Sequence, residues 1–294
     1  MKRARLTTAL LALCLSMTTG CLFRTHRVER KRSPVPLKSA TQEELMAKLE
    51  AMSASVRTMN ATVDIDTTVG GEKTGEVTEY QQIRGYILAE KPKMLRMIGL
   101  LPIVRSRAFD MVSDGDQFEL LVPAKNRLIK GNDQLTKISD NALENLRPQV
   151  IYEALLPTRI DSADEIAVIE QGSQQVVNEK THQSVTQPNY HIVVIRRGAQ
   201  NVWHLHRKFY FSRTDLHVYR QTIYDDQGAI ATDVTYSDPQ DFNGVQFPSL
   251  IEIERPREEY RIALKMIKLI LNEPLQPEQF QLEIPAGATV TDLK

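Results

Sequence analysis

Two histidines two residues apart, His204 and His206, are the first place to look for chemistry, because on a strand they share a face and could offer two ligands to a metal ion. No nearby motif adds the further ligands that a zinc site needs. The same face carries Val202, Lys208 and Tyr210, while Trp203, Leu205, Phe209 and Phe211 form the apolar opposite, so the histidines are read as a solvated pair. Asp114 and Asp116 resemble paired acid catalysts, but they flank Gly115 in a run with hairpin-turn composition, which accounts for both. The chain has no nucleophile elbow, phosphate-binding loop or dinucleotide fingerprint. The expectation is a protein that is not an enzyme and needs neither metal nor cofactor.

The remaining reactive candidate is Cys21. Lys2, Arg3 and Arg5 precede an apolar stretch from Leu6 to Met17, and the small residues Thr18, Thr19 and Gly20 lead into the cysteine. That is the layout of a cleaved export signal. The stretch falls well short of the roughly 20 apolar residues of a membrane-spanning helix. Cleavage removes Cys14 and leaves Cys21 as the only thiol of an exported chain. Met17-Thr18-Thr19-Gly20-Cys21 resembles the lipobox of bacterial lipoproteins, although a Leu is usual where this chain has Thr18. The resemblance implies acylation of Cys21, and Leu22 after it, where an Asp would hold the product in the inner membrane, implies the outer membrane. Several acyl chains anchor stably where one would be marginal.

The sequence divides into a signal at 1–20, an acylated cysteine with a flexible basic tether at 21–40, and a folded domain at 41–294. The tether holds Arg24, Arg27, Arg30, Lys31 and Arg32 before Ser33-Pro34-Val35-Pro36. Fully extended, it reaches roughly 60 Å. Its cations suit anionic lipid heads, and a solvated linker is the equal alternative. The chain as a whole carries 37 basic and 37 acidic residues, which gives no case for nucleic acid.

The elements of the domain follow from period and punctuation. Thr41-Gln42-Glu43-Glu44 is a capping box, and Leu45, Leu49, Met52, Val56 and Met59 continue at helical spacing, which predicts a helix over 42–58. From Ala61 the period is two, with Val63, Ile65, Thr67 and Val69 on one face. A second helix is expected over 141–155, capped by Ser139 or Asp140 and kinked or divided at Pro148. Further strands are expected at 165–178, 189–198, 202–212, 216–225, 229–237, 246–255 and 259–271. In the last, the apolar set Tyr260, Ile262, Leu264 and Met266 changes phase to Ile267, Leu269 and Leu271, so either a bulge lies near Met266 or both faces are covered. About eleven to thirteen strands in a meander cannot stay flat and open. The expected fold is mainly β (α+β), one curved antiparallel sheet whose hollow is plugged by the two helices.

Arg84-Gly85-Tyr86, Lys93-Met94-Leu95-Arg96, Phe109-Asp110-Met111-Val112-Ser113-Asp114-Gly115, Leu271-Asn272-Glu273-Pro274-Leu275, Phe280 and Ile284-Pro285-Ala286-Gly287 together resemble the LolA/LolB superfamily of periplasmic lipoprotein carriers, nearest its lipid-anchored branch, the outer membrane lipoprotein-sorting proteins. The resemblance implies an incomplete β-barrel with helices covering a concave apolar cavity that takes acyl chains. It also implies a LolB-like role at the periplasmic face of the outer membrane, with lipidated proteins as cargo, a soluble LolA-like carrier as donor, and a monomeric chaperone without enzymatic activity. LolB carries a protruding apolar loop for membrane insertion, and the matching place here is Leu100, Leu101 and Ile103, with Val104 read as opening the next strand. Residues expected to line the acyl cavity are Met94, Leu95, Met97, Phe109, Met111, Trp203, Phe209, Phe211, Leu264 and Met266, and those of the lid helix are Leu143, Leu146, Val150 and Leu155. Methionines suit a site that binds and releases flexible chains, but core packing is their commoner role. Two other functions stay open: a lipid- or glycolipid-binding or sensing module on the same fold, and an anchored hydrolase using His204 and His206.

Overall fold

The structure, a computed structural model, describes residues 35–133, 147–177, 184–198 and 201–293. The signal segment, Cys21, most of the tether, and Leu143 and Leu146 lie outside the described residues. Two units are distinguished. One holds residues 35–174 and 187–293. Of the other only 175–177 and 184–186 are described; there Gln175 Nε2 donates to Thr186 Oγ1 at 2.8 Å and Ser184 Oγ donates to Gln175 Oε1 at 3.0 Å.

Alternating side chains dominate the chain, and the result is one open sheet of 15 strands among the described residues. In chain order these are β1 (Thr58–Gly71), β2 (Glu76–Glu79), β3 (Ile83–Glu90), β4 (Met94–Leu100), β5 (Arg107–Ser113), β6 (Gln117–Val122), β7 (Arg127–Asn132), β8 (Glu165–Val177), β9 (Ser184–Arg197), β10 (Trp203–Ser212), β11 (Val218–Tyr224), β12 (Ile230–Phe242), β13 (Val245–Arg255), β14 (Tyr260–Leu271) and β15 (Thr289–Asp292). Their spatial order is β15-β7-β6-β5-β4-β3-β1-β14-β13-β12-β11-β10-β9-β8, with β2 pairing β1. The sheet is mixed rather than purely antiparallel, because β15 runs parallel to β7. The meander thus exceeds the expected strand count through the short β2 and this returning terminal strand.

Two α-helices are present among the described residues, α1 (Gln42–Ser55) and α2 (Pro148–Leu155). The capping box of α1 forms as expected: the Glu44 amide donates to Thr41 Oγ1 at 3.3 Å and the Thr41 amide to Glu44 Oε2 at 2.8 Å. The helix stops at Ser55 rather than 58. Val56 is its extended C-cap, and Met59 is buried in β1. Asn272 fastens this end, its Nδ2 donating to the Ser55 carbonyl (2.7 Å) while its Oδ1 accepts from the Arg57 amide (2.7 Å). Pro148 opens α2, at the first-turn position where a missing N–H costs nothing, and the part of the expected helix before Arg147 lies outside the described residues.

The inner face holds two apolar clusters. In the first, Val63, Ile87, Leu95, Met97, Met111, Ile251 and Leu264 meet Ile151, Tyr152 and Leu155 of α2. In the second, Leu45 and Leu49 of α1 meet Tyr190, Ile192, Val194, Phe209 and Phe211. The phase change in β14 is a bulge: Val63 pairs with Met266 and Thr62 with Lys268, so Ile267 is the extra residue and is 46% exposed while Met266 and Leu269 are buried.

β8 ends the sheet, and α1 partly seals it. Gln42 Nε2 donates to the Ala167 carbonyl at 3.0 Å, and the Ile169 amide donates to Gln42 Oε1 at 3.2 Å, so one side-chain amide does what a neighbouring strand's peptide would do. Gln42→Ala should cost about 1 kcal/mol in urea unfolding and raise self-association in size-exclusion chromatography, since it bares two backbone groups of an edge strand. Unchanged stability and elution would show that the edge is protected by other means.

Candidate apolar binding site

A cavity of about 420 Å³ lies between the helices and the inner face of β10 to β13. From α1, Met52 and its C-cap Val56 form one wall, and Leu155 and Leu156 at the end of α2 form another. The sheet contributes Phe211, Val218 and Phe247, and Leu216 enters from the β10–β11 turn with a positive φ of 67°. Members of both apolar clusters therefore line the space. The volume lies toward the small end of the range for sites that bury a ligand. Lys48, Ala51 and Ser55 on α1 and Asp215 and His217 in the turn are exposed and form its rim.

A few polar groups interrupt the lining. Tyr236 Oη donates to Gln221 Oε1 at 3.1 Å, and Tyr219 Oη accepts from Asn189 Nδ2 at 2.6 Å. Burial pushes both phenols above their ordinary titration range. Lys91, in the β3–β4 turn, donates to the carbonyl of Ser53 and to Ser53 Oγ (3.3 Å). Burial lowers its pKa, Glu50 opposes that, and Arg159 adds to it.

Of the residues expected to line a cavity, Phe211 does so, as does Leu155 of the expected lid. Leu95, Met97, Phe109, Met111, Leu264 and Met266 are buried in the first cluster, and Phe209 in the second. Met94 is half-buried on β4, and Val150 packs partly buried against the first cluster. Trp203 sits at the surface, 42% exposed, with the Arg197 guanidinium 5.1 Å from its ring centre. Leu156, Leu216, Val218, Val245 and Phe247 were not singled out from sequence. For Val245 and Phe247 the alternation of β13 was a usable signal, whereas Leu216 sits in a turn, where periodicity says nothing of side-chain direction.

His206 is not a solvated partner of His204. Leu205 pairs with Ile195 and Arg207 with Val194, so His206 is the extra residue of a bulge. Its Nε2 lies 3.5 Å from Glu165 Oε1, its side chain is 20% exposed, and its pKa falls to about 4, first through burial and then through Arg196 and Arg207. Among the described residues no three His, Cys, Asp or Glu side chains gather as they would around a metal ion.

The β4–β5 turn protrudes. Leu100 is half-buried at the end of β4, while Leu101 is 38%, Ile103 99% and Val104 71% exposed. Val104 belongs to this turn, because β5 begins only at Arg107. The Leu101 amide donates to the Ser106 carbonyl (2.8 Å) and the Arg105 amide to the Leu101 carbonyl (3.0 Å). Ile103 has a φ of 68°, a left-handed conformation that costs a β-branched residue on the order of 1–3 kcal/mol.

An open, mostly antiparallel sheet with helices laid on one face over an apolar cavity is the fold class defined here. Two solved structures are similar to it in fold: a putative outer membrane lipoprotein-sorting protein domain from Vibrio parahaemolyticus (12% identity, TM-score 0.50, covering 81% of this chain and 94% of that one) and a DUF1329 family protein from Desulfovibrio piger (10%, 0.50, 81% and 94%). A LolA superfamily protein from Nitrosomonas europaea aligns at 12% identity and a TM-score of 0.49, over 83% of this chain and 99% of that one. At such identities the likeness is one of fold. No protein-family model and no curated protein matches the sequence.

Proposed function

We propose that the protein is a non-covalent carrier of acyl chains, held at the periplasmic face of the outer membrane by an acylated Cys21, with lipidated proteins as cargo. The observation that carries this reading is the apolar cavity beneath α1 and α2. Each methylene left in water costs about 0.8 kcal/mol, so a chain crossing between membranes needs such a shelter, and it must be able to leave again. The fold shared with a putative lipoprotein-sorting domain supports the choice of cargo. The β4–β5 turn supports a membrane contact: Leu101, Ile103 and Val104 form an exposed apolar tip retained despite a strained backbone at Ile103. A soluble LolA-like carrier would hand cargo to it.

The test is in-cell photocrosslinking from position 216, on the cavity wall. Adducts containing lipoprotein or lipid are expected from Leu216 and none from Ile166, exposed on β8. Empty lanes at position 216 under saturating illumination would overturn the carrier reading.

A further inference from the structure

The cavity has an apolar interior but an uneven set of charges. Two ammonium groups, Lys48 and Lys91, belong to its lining, against one carboxylate, Asp215. That carboxylate is engaged within its own turn: Oδ1 accepts from the His217 amide at 3.0 Å and Oδ2 lies 3.5 Å from His217 Nδ1. Glu50, whose charge acts on Lys91, is itself paired with Arg159 at 3.1 Å. Neither lysine forms an ion pair with a described residue. An ammonium has three donors, and Lys91 uses two of them on Ser53, which leaves one. The arrangement is a hydrocarbon site with uncompensated positive charge in its lining.

We infer that a further ligand of this cavity is a free single-chain amphiphile with an anionic head, a carboxylate or a phosphate, held by Lys91 and Lys48 with its tail among Met52, Leu155, Phe211 and Val218. This rests on the acyl-chain reading above and adds to it, because the lipid of an acylated cysteine has no anionic head. The modest volume suits one tail, and charge complementarity selects the head. Burial of Lys91 without a carboxylate partner leaves its charged form under-solvated, and an anion beside it would restore what burial removed.

The experiment uses the full chain with Cys21→Ser, which removes the acylation site, and equilibrium binding of three labelled probes with the same tail: palmitate, hexadecyl phosphate and hexadecanol. Both anions are expected to bind about tenfold more tightly than hexadecanol, a difference of about 1.4 kcal/mol. The double variant Lys48→Gln, Lys91→Gln should lose that tenfold for the anions and leave hexadecanol within about twofold. Lys48→Gln alone, at a side chain without polar contacts to described residues, should give about a threefold loss and guards against misfolding of the double variant. The tighter of the two anions identifies the head-group source. Equal binding of all three probes, or equal weakening of all three by the variants, overturns the head-group inference and leaves the carrier reading standing. Failure of all three to bind removes the carrier reading as well.

Discussion

Glu165→Ala is expected to cost about 3–5 kcal/mol of folding stability, the loss typical when one member of a buried ion pair is removed and the other stays behind. The carboxylate is 1% exposed at the start of β8. Its Oε1 accepts from Arg196 Nε (3.0 Å) and Nη2 (2.7 Å), and its Oε2 from Arg207 Nη2 (2.9 Å) and the Asp161 amide (2.9 Å). Arg207 also donates to the Thr158 and Arg159 carbonyls at 3.1 and 3.0 Å, so it cannot swing out to water without losing the segment between α2 and β8. Its side chain is 4% exposed. Truncating Glu165 strands that guanidinium in the interior. Glu165→Gln, which keeps an acceptor and loses only the charge, should cost less. Urea unfolding followed by circular dichroism measures both, and a loss under about 1 kcal/mol for the alanine variant would mean that water enters and solvates Arg207.

The second large effect is a loss of stability in mild acid. His206 has an ordinary pKa of 6.5 that falls to about 4 in the fold, because burial and the cations of Arg196 and Arg207 oppose protonation more than Glu165 favours it. The unfolded chain therefore takes up a proton below 6.5 that the folded chain refuses until about 4. Above that window the residue is neutral in both states and costs nothing. Across it stability declines, by at most about 3 kcal/mol at 1.36 kcal/mol per pKa unit, and below it no further loss accrues from this group. Glu165 extends the trend: burial raises its pKa, but Arg207, the Asp161 amide and Arg196 together hold it below the ordinary 4.5. Its contribution is present above that value and is lost as pH falls through the folded one. Melting temperatures from pH 7.5 to 4 should show the decline, and His206→Gln should flatten much of it. His191, lowered chiefly by burial, leaves a residual slope of the same sign. Parallel profiles for the parent and His206→Gln would show that His206 is solvated after all.

The sheet was legible because a half-buried strand must alternate. The seven later strands and the capping box of α1 follow from spacing and composition, whereas in β14 spacing shows the change of phase and only the pairing register with β1 decides for a bulge over a strand covered on both faces. The end of α1 was not legible, since Val56 and Met59 suit a helix stripe, while the actual end depends on Asn272, more than two hundred residues away. The bulge at His206 was hidden for a related reason: one extra residue in β10 turns a polar side chain toward Glu165, and no local pattern announces it. Of the cavity candidates on β4, β5, β10 and β14, Phe211 faces the open space, while Leu95, Met97, Phe109, Met111, Leu264 and Met266 are taken up by the first apolar cluster. The open space falls instead where helix ends and the β10–β11 turn leave a gap between two clusters, a matter of tertiary placement.

α1 is bolted at both ends: Gln42 grips the rim of the sheet at one, and Lys91 and Asn272 hold the carbonyls of Ser53 and Ser55 at the other. To lift like a trapdoor, a beam secured in this way must first break these hydrogen bonds, at about 1 kcal/mol each. If the cavity takes guests as proposed, entry past side chains such as Met52 and Leu216, which move in picoseconds to nanoseconds, is favoured over a hinge of the helix, which would take microseconds to milliseconds. For such a carrier the pace of exchange would be set by hydrocarbon shedding its neighbours, and lengthening a guest's tail should slow its departure in regular steps.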